Sequence, residues 1–152
     1  MKYSTRLSDA VHVLVLIYLN QNEGISSAEI AKSVHSNPAL IRQIMAELKA
    51  AKLIESARGK AKPRLATELA NISLLDVYRA MEGHKPLLHI DTHTNPACEA
   101  GVNIQYALGD YYSRVQAAAE RELASITLAD VVASYHEKLA ASQGESSPAR
   151  EE

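Results

Sequence analysis

The stretch Ile25-Ser26-Ser27-Ala28-Glu29-Ile30-Ala31-Lys32-Ser33-Val34-His35-Ser36-Asn37-Pro38-Ala39-Leu40-Ile41-Arg42-Gln43-Ile44-Met45-Ala46-Glu47-Leu48-Lys49-Ala50 decides the fold. Ser26 and Glu29 have the spacing of a capping box, in which a hydroxyl serves the amide three residues on and the carboxylate reaches back. Ile25 and Ile30 flank it as a hydrophobic staple, so a short helix is predicted to about Val34. His35-Ser36 forms a turn. Asn37 then stands as an N-cap, with Pro38 at the first helical position of a longer helix. Ile41, Ile44, Met45 and Leu48 repeat at three and four residues and form one buried stripe. Arg42, Gln43, Ala46, Glu47 and Lys49 fall away from it. A short helix, a tight turn and a longer helix with a polar outer face make the helix-turn-helix plan.

Upstream, Ser4 to Asn20 carries β-branched Val11, Val13, Val15 and Ile17. Its apolar positions run on both parities, so a mostly buried helix closed by Asn20–Gly24 is predicted. Downstream, Leu53–Ala57 and Arg64–Thr67 read as two short strands around Arg58-Gly59-Lys60-Ala61-Lys62-Pro63. The hairpin carries Arg58, Lys60, Lys62 and Arg64 and no anion at its tip. A helix-turn-helix followed by a basic hairpin is a winged helix. Ser73-Leu74-Leu75-Asp76 is a second capping box, opening a helix that ends near Gly83. A loop over 84–100 precedes a long helix, about Val102 to Ser125, with Leu108, Tyr111, Val115 and Ala118 on one stripe. Thr127-Leu128-Ala129-Asp130 caps a last helix to about Ala141, and 142–152 reads as a disordered tail. The expected class is mostly α, with a winged helix-turn-helix domain (1–83), a loop (84–101), two helices (102–141) and the tail.

The chain has 152 residues, with 16 Lys+Arg, 18 Asp+Glu and one Cys. One Cys excludes an intramolecular disulfide framework and a Cys-rich zinc cage. No signal peptide and no bilayer-length apolar run is visible, so a soluble cytoplasmic protein without a membrane partner is expected. The near-neutral charge hides a split. Residues 1–67 hold ten Lys/Arg and five Asp/Glu, a net +5, and residues 68–152 hold six and thirteen, a net −7. A basic front on an acidic body suggests a polyanion-binding module. The chain contains no Gly-rich phosphate loop, nucleophile elbow or zinc-hydrolase spacing, so an enzyme is not expected.

Duplex DNA suits this plan, because a helix fits the major groove and its first turns meet base edges. On the helix from Pro38 those positions are Asn37, Ala39, Leu40, Arg42 and Gln43. Arg42 can donate a bidentate pair to guanine, Gln43 can pair with adenine, and Ala39 or Leu40 can touch a thymine methyl. Arg58, Lys60, Lys62 and Arg64 would lie over phosphates or in the minor groove, giving salt-sensitive affinity. Lys2, Thr5, Arg6 and Ser26 would add contacts near the backbone. The competing reading is an adaptor that uses the same surface for protein, since helix-turn-helix geometry also serves protein contacts.

Several separated motifs resemble the Rrf2 family of bacterial winged helix-turn-helix transcription regulators. They are Ile25–Ala31, Glu47–Ile54, Ser56–Gly59, Arg64–Ala66, Ile72–Gly83 and Ala124–Val131. The resemblance implies a homodimer in which the long helix crosses its partner's counterpart through Leu108, Tyr111, Val115 and Ala118. It further implies that two winged domains read a palindromic operator, usually in repression, with Arg42 discriminating bases and Arg58 at the wing. Members usually carry consecutive glycines in the wing, whereas this chain has only Gly59 there. Cluster-binding members place three Cys before the long helix; here Cys98 stands with Thr92 six before and Ile104 six after. One thiolate does not hold an iron–sulfur cluster, so neither a cluster nor another cofactor is expected. Cys98 is a candidate sensor of oxidation or alkylation, favoured by the helix start beyond it and opposed by Glu99; the alternative is an inert thiol. His84, His89 and His93 near Cys98 are metal-ligand types, but their spacing matches no stiff motif. A redox or small-molecule effector remains the expected signal.

Overall fold

A computed structural model describes residues 4–56 and 62–145. The first helix, α1 (Arg6–Leu19), buries Ala10, Val13, Leu14 and Ile17. That three-and-four spacing is a helical face, so packing overrides the β preference of its valines. Helix α2 (Ser27–Val34) begins at the complete Ser26–Glu29 capping box and ends at His35, whose φ is 56°. The Ser36 amide closes back on the Ala31 carbonyl at 2.9 Å, which fixes the tight turn. Helix α3 (Pro38–Ala50) has Asn37 as its cap and buries Ile41, Ile44 and Leu48; Met45 is half-buried against the same core. Its end is a Schellman closure: Leu53 N–H reaches Leu48 O, Lys52 N–H reaches Lys49 O, and Lys52 sits at φ 60°.

The wing is antiparallel, β1 (Ile54–Glu55) with β2 (Arg64–Leu65), pairing Ile54 with Leu65 and Glu55 with Arg64. Each strand is shorter than the sequence suggests, and residues 57–61, with Arg58 and Lys60, lie outside the described part. Lys2 and the tail beyond Glu145 do as well. A 3-10 turn at Leu69–Asn71 leads to α4 (Leu74–Glu82), which opens at the complete Ser73–Asp76 box. One apolar cluster, including Ile17, Ile30, Ile44, Leu48, Ile54, Ile72 and Val77, joins α1 to α4 and the wing's base.

Helix α5 (Glu99–Ser125) starts three residues before the predicted Val102. The Asn95-Pro96 turn explains this: Asn95 accepts Ala97 N–H on its side chain and Cys98 N–H on its carbonyl, delivering Cys98 directly as the cap. Helix α6 (Leu128–Glu145) opens at Thr127 and Asp130, whose hydroxyl and carboxylate serve each other's amides. It runs past Ala141 into the predicted tail, through Gly144, whose cost of about 1 kcal/mol falls in the last turn and does not end the helix as a proline would. Its first turn returns to the head. Leu74 N–H meets Ile126 O, Leu128 N–H meets Ile72 O, and Leu128 is fully buried in the head's core.

Candidate nucleic-acid interface

The exposed side of α3 carries Ala39, Arg42, Gln43, Ala46 and Lys49. Arg42 and Lys49 lie seven residues apart and therefore project from one side of the helix. With Ser26, Ser27 and Met45 they border a groove of about 490 Å³ whose far wall is Ile54, Ser56, Lys62 and Pro63. Among the described residues, three cations and no carboxylate line that groove. Lys49 Nζ donates to Ser56 Oγ at 3.0 Å, and Lys62 Nζ donates to Glu23 O at 2.8 Å. Both of these partners are neutral, so neither bond neutralises its ammonium, although the Lys62 charge also acts on the Glu29 carboxylate.

Lys62 is held by local backbone chemistry. Gly24 has φ +72° and passes beneath the Lys62 stem, where a Cβ would collide with it. A residue other than glycine there is strained and would push the wing away. Ser26 is spent inside its own cap: its hydroxyl donates to Glu29 Oε2 at 2.6 Å and its amide donates there at 2.8 Å. The Ser26 hydroxyl, its amide, Lys62 and Lys32 hold the Glu29 carboxyl below its ordinary value.

The other candidates divide. Asn37 Oδ1 accepts the Leu40 amide at 2.8 Å, while Leu40 itself is half-buried against the core and supports α3 from beneath. Thr5 donates to Asp9 at 3.2 Å. Arg64 is paired with Glu55 at 2.6 Å, since strand period two places both on the outer face of the wing. Arg6 pairs with Glu47 through Nη2 and Oε2, tying the start of α1 to α3. Neither Glu55 nor Glu47 was foreseen as a partner of these cations. Cross-strand register and α1–α3 packing create the pairs, and sequence separation hides the second. Lys49 joins the groove without standing among the expected contacts, although the sequence shows its heptad spacing from Arg42.

Cys98 is exposed and accepts the Gly101 N–H on its sulfur at 3.4 Å. His93 pairs with Asp91 at 3.1 Å. His84, His89 and His93 do not converge with Cys98: among the described residues, no three His, Cys, Asp or Glu side chains gather as a metal site. The stripe on α5 is open, with Ile104 58%, Tyr111 61% and Val115 48% exposed, and Leu108 and Ala118 also exposed. On the other side of α5 the 84–98 segment is strapped down. Leu87 N–H meets Gln116 Oε1 at 2.9 Å, and Gln105 donates to Thr94 at 2.6 Å.

The family model "Rrf2: Iron-dependent Transcriptional regulator" matches residues 3–134. The relative named "Putative HTH-type transcriptional regulator YwnA" in Bacillus subtilis (strain 168) is 40% identical over 129 residues, 85% of this chain and 96% of its own. A solved structure named "Crystal structure of a putative DNA binding protein" is also 40% identical. It has a TM-score of 0.69 and covers 84% of this chain and 98% of its own. T. potens IscR, at 26% identity and TM-score 0.68, covers 91% of this chain and 90% of its own. The family description names iron, and the donors of this chain do not fit an iron–sulfur cluster. It has one Cys, that sulfur caps α5, and no triad of ligand types surrounds it among the described residues. With its winged-helix head, its long α5 and a family match over most of its length, the chain belongs to the Rrf2 family of transcription regulators.

Proposed function

We propose that the chain is a homodimeric repressor that reads a palindromic operator with α3 in the major groove and the wing on the adjacent backbone. The observation that carries this reading is the groove beside α3, with Arg42, Lys49 and Lys62 on its walls and no carboxylate among its described residues. Arg42 is the guanine reader and Gln43 the adenine reader, with Ala39 beside them for a thymine methyl. Lys49 and Lys62 neutralise phosphates and fix register without reading sequence. From the sequence, Arg58 and Lys60 are assigned the same role; they lie outside the described residues.

The open stripe Ile104, Leu108, Tyr111, Val115 and Ala118 on α5 supports pairing with a second copy of the helix. Two-fold pairing of the heads accounts for a palindromic site. The role as repressor rests on the family resemblance. Cys98 is the switch we assign, because it is exposed and forms the cap of α5. Its oxidation or alkylation alters the sulfur that caps α5, at the end of the helix that joins the two copies.

Fluorescence anisotropy against fragmented genomic DNA at two salt concentrations tests the reading. Tight, sequence-selective binding that weakens steeply with salt is expected. Binding that ignores salt, or capture of protein by the same surface, would sink it. For the switch, operator affinity is measured before and after mild peroxide, with intact mass as the check and Cys98→Ser as the control. Unchanged affinity in fully modified protein removes Cys98 from the mechanism.

A further inference from the structure

Arg6, Glu47 and Gln43 form one chain of contacts that ends at the base-reading face. Glu47 lies one turn after Gln43 on α3, so their side chains share a side of the helix. The two carboxylate oxygens are used separately. Oε2 holds the Arg6 guanidinium, and Oε1 accepts a long hydrogen bond from Gln43 Nε2 at 3.4 Å. The ion pair is half-buried, with side-chain exposures of 33% and 30%, whereas Gln43 is exposed.

A carboxamide has two ends of nearly equal shape and opposite hydrogen-bond character. Only its nitrogen can donate to Glu47; the flipped amide would set oxygen against a carboxylate oxygen. One N–H is thus directed at Glu47. The carbonyl oxygen and the second N–H remain as a donor–acceptor edge, the pattern that matches adenine N7 and N6. Arg6 holds the carboxylate in place and cancels its charge, which would otherwise repel phosphate beside the groove. We propose that Glu47 is a positioning residue that fixes the amide of Gln43 for adenine, with Arg6 as its anchor. This rests on the proposed reading of DNA by α3.

The test begins with selection of an operator by the full wild-type chain from a random-sequence pool. The base pair read by Gln43 is identified as the one at which Gln43→Ala loses preference. Glu47→Ala is expected to lose roughly tenfold of the adenine preference at that same pair, within the range of a bidentate contact. Its affinity for unrelated DNA should hold or rise. Glu47→Gln, which keeps an acceptor oxygen on the same stem, should restore part of the preference. The double variant Gln43→Ala/Glu47→Ala should be no less selective at that pair than Gln43→Ala alone. Thermal melting of each variant identifies loss of fold. A folded Glu47→Ala that keeps the preference, or weakens every sequence alike, overturns the inference and leaves DNA reading by α3 intact. No base pair altered by Gln43→Ala overturns it as well. A wild-type chain that selects no sequence overturns the underlying reading and this inference together.

Discussion

The head and α5 use apolar residues in opposite ways. In α1, α3 and α4 the apolar stripes close on one another, leaving Leu14, Ile17, Ile41, Ile44, Leu48 and Val77 essentially out of water. In α5, 27 residues long, no residue is buried, and Ile104, Tyr111 and Val115 stand about half exposed or more. Both regions have helical apolar periodicity. A stripe therefore says that a face must be covered, and it leaves open whether this chain or another covers it. The head covers its own. α5 uses one side for the 84–98 strap and holds the other free.

The sharpest way to break this contrast is matched truncation. Ile44→Ala in the head should cost about 2–5 kcal/mol in urea unfolding, through lost burial and a residual cavity. Leu108→Ala, measured at a dilution where the chain is monomeric, should stay within about 0.5 kcal/mol of wild type. A comparable loss at Leu108 would mean that the open side of α5 is also covered within its own chain. The next test concerns self-association. Tyr111→Ala with Val115→Ala should weaken the dimer by about 2 kcal/mol or more, with the head's melting unchanged, as seen by sedimentation at graded concentration. Unaltered mass across that range would place the contact elsewhere.

Within the head, Arg42→Ala should cost about 1–3 kcal/mol at one base pair and relax specificity there. Lys62→Ala should weaken all sequences alike and flatten the salt dependence. The reverse pattern would exchange reader and phosphate clamp. The smallest effect falls at the junction of the two regions. The Thr127 amide and hydroxyl hold the Asp130 carboxyl below its ordinary value of 3.8. A lowered folded value means that this contribution is complete above the ordinary value and is lost as pH falls through the lowered one. The stability gap between wild type and Asp130→Ala should therefore be constant at neutral pH and close at the acid end of a urea series. A gap that persists to pH 2 would show that packing of α6, not its capped carboxylate, sustains the junction.

Local chemistry made most of the elements legible. Ser26/Glu29, Ser73/Asp76 and Thr127/Asp130 each announced a helix start, and Asn37-Pro38 announced α3, because a cap is satisfied by residues three positions away. The α5 start was misplaced because a cysteine cap carries little propensity and the Asn95-Pro96 turn acts through backbone bonds. The end of α6 is not legible because polar residues and Gly144 read as a tail, whereas one glycine in a last turn does not stop a helix already formed. At the interface, Arg42 and Gln43 were legible as exposed positions on a periodic helix. The fates of Arg6 and Arg64 were not, since Glu47 and Glu55 meet them only through packing and strand register.

By itself the sequence determined the helix-turn-helix, the basic hairpin and the single thiol that does not suffice for a cluster. Periodicity, capping and composition act over a few residues, and a reader can follow them along the chain. Tertiary structure alone decided which cations remain for an anion, that α6 begins inside the head's core, and which side of α5 stays open. Those outcomes depend on distances between residues far apart in the chain, and such distances exist only after it has folded.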